Sequence, residues 1–201
     1  FFGVDNLGGL THFNGTLEDF RLWGDVRTAG EIAANRENML GNNDPNFFLN
    51  YRFDQAGTQD VLSSFSGFGA FLSGRLFNFD YNGSTSGWVT SDAFSGNQNA
   101  LNFDGIDDHI NIGNPANLNF GTGNFTLEAW VNIPSSADLS DAPVIAMNGA
   151  TGTGQSRYMV AVDPTGQVIF EVSDGSGVTT ITTTGNAVND DLWHHIAVVR
   201  E

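Results

Sequence analysis

The stretch "ALNFDGIDDHINIG", residues 100–113, places Asp104, Asp107 and Asp108 in one short turn between alternating apolar residues. Like charges packed this closely disfavour one another unless water or a cation intervenes. Calcium is a hard cation that takes roughly six to eight oxygens, from carboxylates and from carbonyls of irregular backbone. The segment "DGIDD" offers both, and Gly105 lets the chain turn sharply. The spacing is not that of an EF-hand loop. Two readings stay open on the residues alone: a solvated turn with Asp104 as its capping acceptor, or a calcium site.

Other chemistry-bearing residues are less suggestive. In "WHH", His194 and His195 are adjacent on a strand, so their imidazoles point to opposite faces and cannot share an ion. Hydrolysis of a glycosidic bond by a retaining route needs two carboxyl groups about 5–5.5 Å apart. No strand here carries alternate acids on one face. The acids of "TLEDF" are adjacent, and Glu128 in "FTLEAW" stands alone, as a structural hydrogen-bond acceptor would. The chain has no cysteine for a thiol nucleophile and no Gly-x-Ser-x-Gly elbow. The Gly-rich "GATGTGQS", residues 149–156, lacks the lysine of a phosphate loop and reads as a hairpin loop. Trp88, Tyr81 and Tyr158 are candidate sugar-stacking rings; the alternative is that they fill gaps in a core. Asn14, Asn82 and Asn124 head glycosylation sequons.

The elements that must position these groups are mostly strands. In "FTLEAWVNIP", Phe125, Leu127, Ala129, Val131 and Ile133 alternate with Thr126, Glu128, Trp130 and Asn132. The first set, with Phe103, Ile110 and Ile112 against it, is the predicted core. "YMVAVDPTGQVIFEVSD" reads as two strands around the turn Asp163-Pro164-Thr165-Gly166, and "TTITTTG" and "LWHHIAVVR" read as two more. Thr28 and Glu31 form a capping box that starts one short helix, with Ile32, Arg36 and Met39 on one face and Gly41 as its stop. Twenty-five glycines and 17 phenylalanines suit many short strands joined by tight turns.

Charge narrows the partners. The net charge is −16, from 23 acidic residues against seven arginines and no lysine. Phosphate backbones and anionic bilayer surfaces repel such a chain, so nucleic acid is not an expected partner, and no apolar run approaches the roughly 18 residues of a membrane span, so insertion is not expected. A strongly acidic surface suits a salty or calcium-rich exterior.

With these residues in view, a family resemblance can be stated. "ALNFDGIDDHINIG", "FTLEAWVNI" and "WHHIAVVR" look, in that order, like the opening half of a bacterial laminin-G-like module of the concanavalin A-like jelly roll. "FNGTLEDFRLWGDVRTAGEI" is similar to the end of such a module. The resemblance implies an all-β jelly-roll sandwich with one short helix. It orders the chain as residues 1–57 closing one module, 58–98 an ordered irregular connection, and 99–201 opening the next; a single circularly permuted sandwich over 1–201 is the alternative. The chain then reads as a window of something longer. Its two ends, near 1–6 and 194–200, are expected to pair with each other or with a neighbouring chain.

The resemblance also implies calcium at the sandwich edge, held by Asp104 with Glu18 or Asp19 from the closing strand, and with Asp107 and Asp108 as secondary ligands. It implies no enzyme. The expected role is an extracellular, cell-surface binding or adhesion module, a repeat unit of a larger surface protein or filament, with neighbouring modules, copies of itself, a glycan or a surface protein as partners. The alternative role is a carbohydrate-binding appendage of a secreted hydrolase.

Overall fold

The computed structural model describes residues 1–4, 11–41, 46–54, 61–62, 72–80, 85–94, 99–113, 115–149 and 156–201. These form an all-β jelly-roll sandwich with one short helix. One layer is the sheet β13 (Trp193–Arg200), β8 (Phe125–Asn132), β1 (Asn14–Trp23), β6 (Asn99–Asp104) and β5 (Gly87–Thr90), in that order, with β2 (Phe47–Tyr51) also on β1. The second layer contains β12 (Val178–Thr182), β11 (Val168–Asp174), β10 (Ser156–Val162) and β9 (Val144–Gly149), and separately β3 (Val61–Leu62), β4 (Gly74–Phe77) and β7 (His109–Asn111).

Phe2 joins the two pieces of that second layer, bridging Ala146 of β9 on one side and Ile110 of β7 on the other. The Phe2 amide donates to the Ile110 carbonyl and the Ile110 amide to that of Phe2, each at 3.0 Å. This revises the expected pairing of the two ends. Residues 1–4 insert between β7 and β9, whereas β13 pairs along its whole length with β8. Buried Phe2 meets Phe20, Tyr51 and Phe53 edge-on, so the insertion is held by packing as well as by backbone bonds.

The predicted core face holds. Phe125, Leu127, Ala129, Val131, Ile133, Phe103 and Ile110 are all fully buried, with Ile112 packed at the margin. The opposite face of β8 is covered too. Thr126, Glu128 and Trp130 are buried because the chain after β1 folds back over them: the Arg27 amide donates to Thr126 Oγ1 at 2.9 Å and Trp130 Nε1 donates to the Arg36 carbonyl at 2.9 Å.

Helix α1 spans Ala29–Asn35 and starts at the capping box, with the Thr28 amide donating to Glu31 Oε2 at 2.8 Å. It ends at Arg36, short of Gly41, and buries none of its residues, so Met39 lies beyond it and is exposed. The arginine on the neighbouring strand accounts for that early stop. Arg21, fully buried, donates through Nη1 to the Asn35 carbonyl at 2.9 Å and through Nη2 to the Asn38 carbonyl at 2.7 Å. It ties the helix end to the sheet.

Residues 58–98 supply β3, β4 and β5, so their described parts are strand as well as irregular chain. Strand β6 belongs to one layer and β7 to the other. The acidic turn is therefore the crossover between the two sheets, at the edge of the sandwich.

Candidate metal centre

Asp104 ends β6 and Asp108 precedes β7, so the turn 105–107 has to reverse the chain while changing layers. Gly105 makes this possible with φ of +78°, and a Cβ there would lie 2.8 Å from the Asn14 Cβ. Carboxylate oxygens of Asp104, Asp107 and Asp108 lie within 4.8 Å of one another. Asp104 Oδ1 accepts from the Ile106 amide at 2.8 Å, the turn-capping bond expected of it. Asp108 Oδ2 accepts from the Asp104 amide at 2.8 Å.

The three carboxylates differ in environment. Asp107 is exposed, Asp104 half-buried, and Asp108 fully buried. Burial, together with the Asp104 charge, raises the Asp108 carboxyl from 3.8 to about 6 against the pull of the Asp104 amide and Ser86 hydroxyl. Ser86 donates weakly to Asp108 Oδ1 at 3.4 Å and accepts from the Asp80 amide at 2.8 Å. The Asp107 carbonyl is held by Asn78 Nδ2 at 3.1 Å. Asn78 and Ser86 both come from residues 58–98, and no local motif pointed to them.

Glu18 and Asp19 are not part of this cluster, which corrects the expected ligand set. Asn14 pairs with Asp104 across the β1–β6 ladder, and Glu18 lies four residues further along, about 13 Å at strand rise. Glu18 instead accepts from the Ser91 hydroxyl, and Asp19 pairs with Arg21. Adjacent residues of a regular strand point to opposite faces, and Glu18 and Asp19 depart from that rule. The β1–β8 register slips between Glu18, opposite Trp130, and Arg21, opposite Glu128, with Asp19 at φ of +49° in the bulge. The spacing of the buried core residues Leu17, Phe20 and Leu22 is the sequence signal for that slip.

The remaining candidates separate cleanly. Glu128 accepts from Trp23 Nε1 at 2.8 Å and lies 3.4 Å from His195 Nε2, whereas His194 turns to Asp190 at 2.8 Å. The two imidazoles thus face apart, and Glu128 accepts the Trp23 bond in the way a structural acceptor is expected to. Trp88 is half-buried against the core, Tyr158 is buried between Phe120 and Phe125, and Tyr81 lies outside the described residues.

Among the described residues, no helix is long and apolar enough to cross a membrane. No curated protein and no solved structure matches the chain. A family model described as the concanavalin A-like lectin/glucanases superfamily does match, over residues 103–201. That span begins at the end of β6, takes in the acidic crossover and runs through β13, so the chain carries a laminin-G-like module of the concanavalin A-like lectin/glucanase superfamily.

Proposed function

We propose that this chain is a non-enzymatic binding and adhesion module of the cell exterior, a unit of a larger surface protein or filament, with calcium bound at the crossover between its sheets. Laminin-G-like domains are generally non-catalytic binding modules and often bind calcium. The observation that carries the calcium reading is the Asp104, Asp107 and Asp108 cluster, with its one fully buried carboxylate. The donor set fits a hard cation: three carboxylates at the mouth of a turn, one of them buried beside a second negative charge. Bound there, calcium supplies positive charge; Asp108 and Asp104 would hold it from within the turn and Asp107 from the solvent side.

The pairing of β1 between β8 and β6 supports reading residues 1–201 as one circularly permuted sandwich rather than parts of two modules. The absence of catalysis is supported by the way its best acids are committed, Glu128 to Trp23 and His195, and Glu18 to Ser91. The acidic, lysine-free composition fits an exterior rich in divalent cations.

Thermal unfolding tests the reading. At free calcium 100 times the dissociation constant the fold gains about 2.7 kcal/mol, which raises Tm by roughly 5–10 °C for a chain of this size. A melting temperature identical in calcium and in chelator overturns it.

A further inference from the structure

On one side of the sandwich each layer ends in an edge strand, β13 in the first and β12 in the second. The two edges are guarded differently. Strand β13 carries His194, His195 and Arg200, and Asp190 and Asp191 precede it. Strand β12 carries no such group, and residues 175–189 contain neither a charged side chain nor a proline. Edge strands are normally protected from pairing with another chain by charge, proline or a bulge. The β11–β12 register is unbroken, so β12 has no bulge either.

This charge-free stretch belongs to a chain with net charge −16. It is a place where two copies can meet without like charges facing each other. The charge beside it on β11, Glu171, lies opposite Thr180 and accepts from Arg157 Nε at 2.8 Å. Every residue of β12 is β-branched, as suits a paired strand, yet all five are exposed, with Val178 at 54% and Ile181 at 61%.

One bond fixes the direction of the backbone groups. The Thr183 amide donates to the Val168 carbonyl at 3.0 Å. Backbone groups alternate in direction along an antiparallel strand. Thr179 and Ile181 therefore turn theirs toward β11, and Val178, Thr180 and Thr182 turn theirs to the open edge.

We infer that β12 is a self-association edge, on which a second copy of this chain lays its own β12 antiparallel about a two-fold axis at Thr180. In that register Thr180 faces its counterpart and Val178 faces Thr182, so every outward backbone group of the strand gains a partner. A slip of one residue would set outward groups against inward ones. On the inner face Ile181 lies opposite Thr179, and the two Ile181 side chains are diagonal neighbours about 7–8 Å apart. Two copies of the sheet β12-β11-β10-β9 thereby become one continuous sheet. An edge of this length buries less than the roughly 1,200–2,000 Å² of a stable interface, so the association is weak and concentration-dependent. It goes beyond the binding-module reading and needs no calcium.

Sedimentation equilibrium of the whole chain in chelator, at low and high salt, tests this. A monomer–dimer equilibrium is expected, tighter at about 1 M than at about 0.1 M salt, because the screening length falls from about 10 Å to about 3 Å and two acidic copies repel less. Thr180→Lys sets like charges opposite each other at the axis and should weaken association about tenfold or more. Ala197→Lys, on the β13 edge, should leave it unchanged. The chain has no cysteine, so Thr180→Cys supplies one thiol per copy. Hydrogen-bonded partners are about 5.5 Å apart at Cα, within disulfide reach, so mild oxidation should cross-link this variant. Thr182→Cys should not cross-link, since its counterpart lies roughly 14 Å away. Circular dichroism matching the wild type shows that the variants fold. The inference is overturned by a chain still monomeric at about 1 mM in high salt, where association would be worth only about 4 kcal/mol. It is equally overturned by association that weakens with salt or appears only with calcium, by an Ala197→Lys effect as large as that of Thr180→Lys, or by Thr182→Cys cross-linking as fast as Thr180→Cys.

Discussion

Two regions of the molecule bury carboxylates, and they neutralise them differently. On the outer face of β1, burial pushes the Asp19 carboxyl up, but the guanidinium of Arg21 pairs with it and the charge of Arg52 lies nearby. At the crossover, Asp108 is just as deeply placed, and its nearest charges are Asp104 and Asp107. The first region carries its own cation on a strand. The second has only amides, a hydroxyl and like charge around it. A buried carboxylate without a counter-charge either takes up a proton or recruits a cation from solvent. The sandwich is thus closed on one side by a fixed charge pair and open to solution conditions on the other.

Breaking the internal pair should give the largest effect. Arg21→Ala removes the partner of Asp19 and the donor to the Asn35 and Asn38 carbonyls at the end of α1. Leaving one member of a buried pair costs about 3–5 kcal/mol. Urea unfolding in chelator should show that loss, and calcium should not restore it, because the crossover is elsewhere in the fold. A stability within 1 kcal/mol of wild type would mean the pair is not what neutralises this face.

The crossover should instead respond to pH and calcium. The Asp108 carboxyl is raised from 3.8 to about 6 in the fold. A raised acid contributes stability that is fully present below its unfolded value and lost as pH rises through its folded value. In chelator, the wild type should therefore lose about 2 kcal/mol relative to Asp108→Asn between pH 4 and pH 7. Calcium should recover most of this at pH 7.5 and little at pH 4.5, since proton and ion compete for the same carboxylate. Parallel pH curves for wild type and Asp108→Asn would remove Asp108 from the account.

A smaller change sharpens the same contrast. Ser86→Ala removes the hydroxyl that donates to Asp108 and accepts from the Asp80 amide. The expected cost is about 1 kcal/mol. Because that hydroxyl favours the charged carboxylate, the midpoint of the pH response should also move upward. A cost with no shift in midpoint would show that Ser86 only holds the loop.

How much of this was legible in the sequence follows from the range of the interactions. The core face of β8, the capping box and the three clustered aspartates were readable because each depends on neighbours within a few residues. Asp108 could also have been read as inward, since it shares parity with Ile110, which is buried. What could not be read was register. The bulge at Asp19 moved Glu18 and Asp19 onto other partners, and one residue of slip changes every facing on a strand. The contributions of Asn78 and Ser86, and the insertion of Phe2 between β7 and β9, depend on contacts between distant parts of the chain that no local pattern encodes.

The smallest stability effect is expected at Asp107, and it discriminates most sharply between a cation site and a solvated turn. Its carboxylate is exposed, so it is hydrated with or without an ion, and Asp107→Asn should change stability in chelator by no more than about 0.5 kcal/mol. Its oxygen nevertheless lies within the 4.8 Å group formed with Asp104 and Asp108. If the three share a calcium ion, removing one formal charge weakens binding, and the calcium concentration at half-maximal stabilisation should rise about tenfold, equivalent to about 1.4 kcal/mol of affinity. The backbone carbonyl that Asn78 and His109 hold stays in place, so the turn itself should not move. Isothermal titration of calcium into both proteins at pH 7.5 reads the difference directly. Equal affinities would assign the ion to Asp104 and Asp108 alone and return Asp107 to the solvated surface.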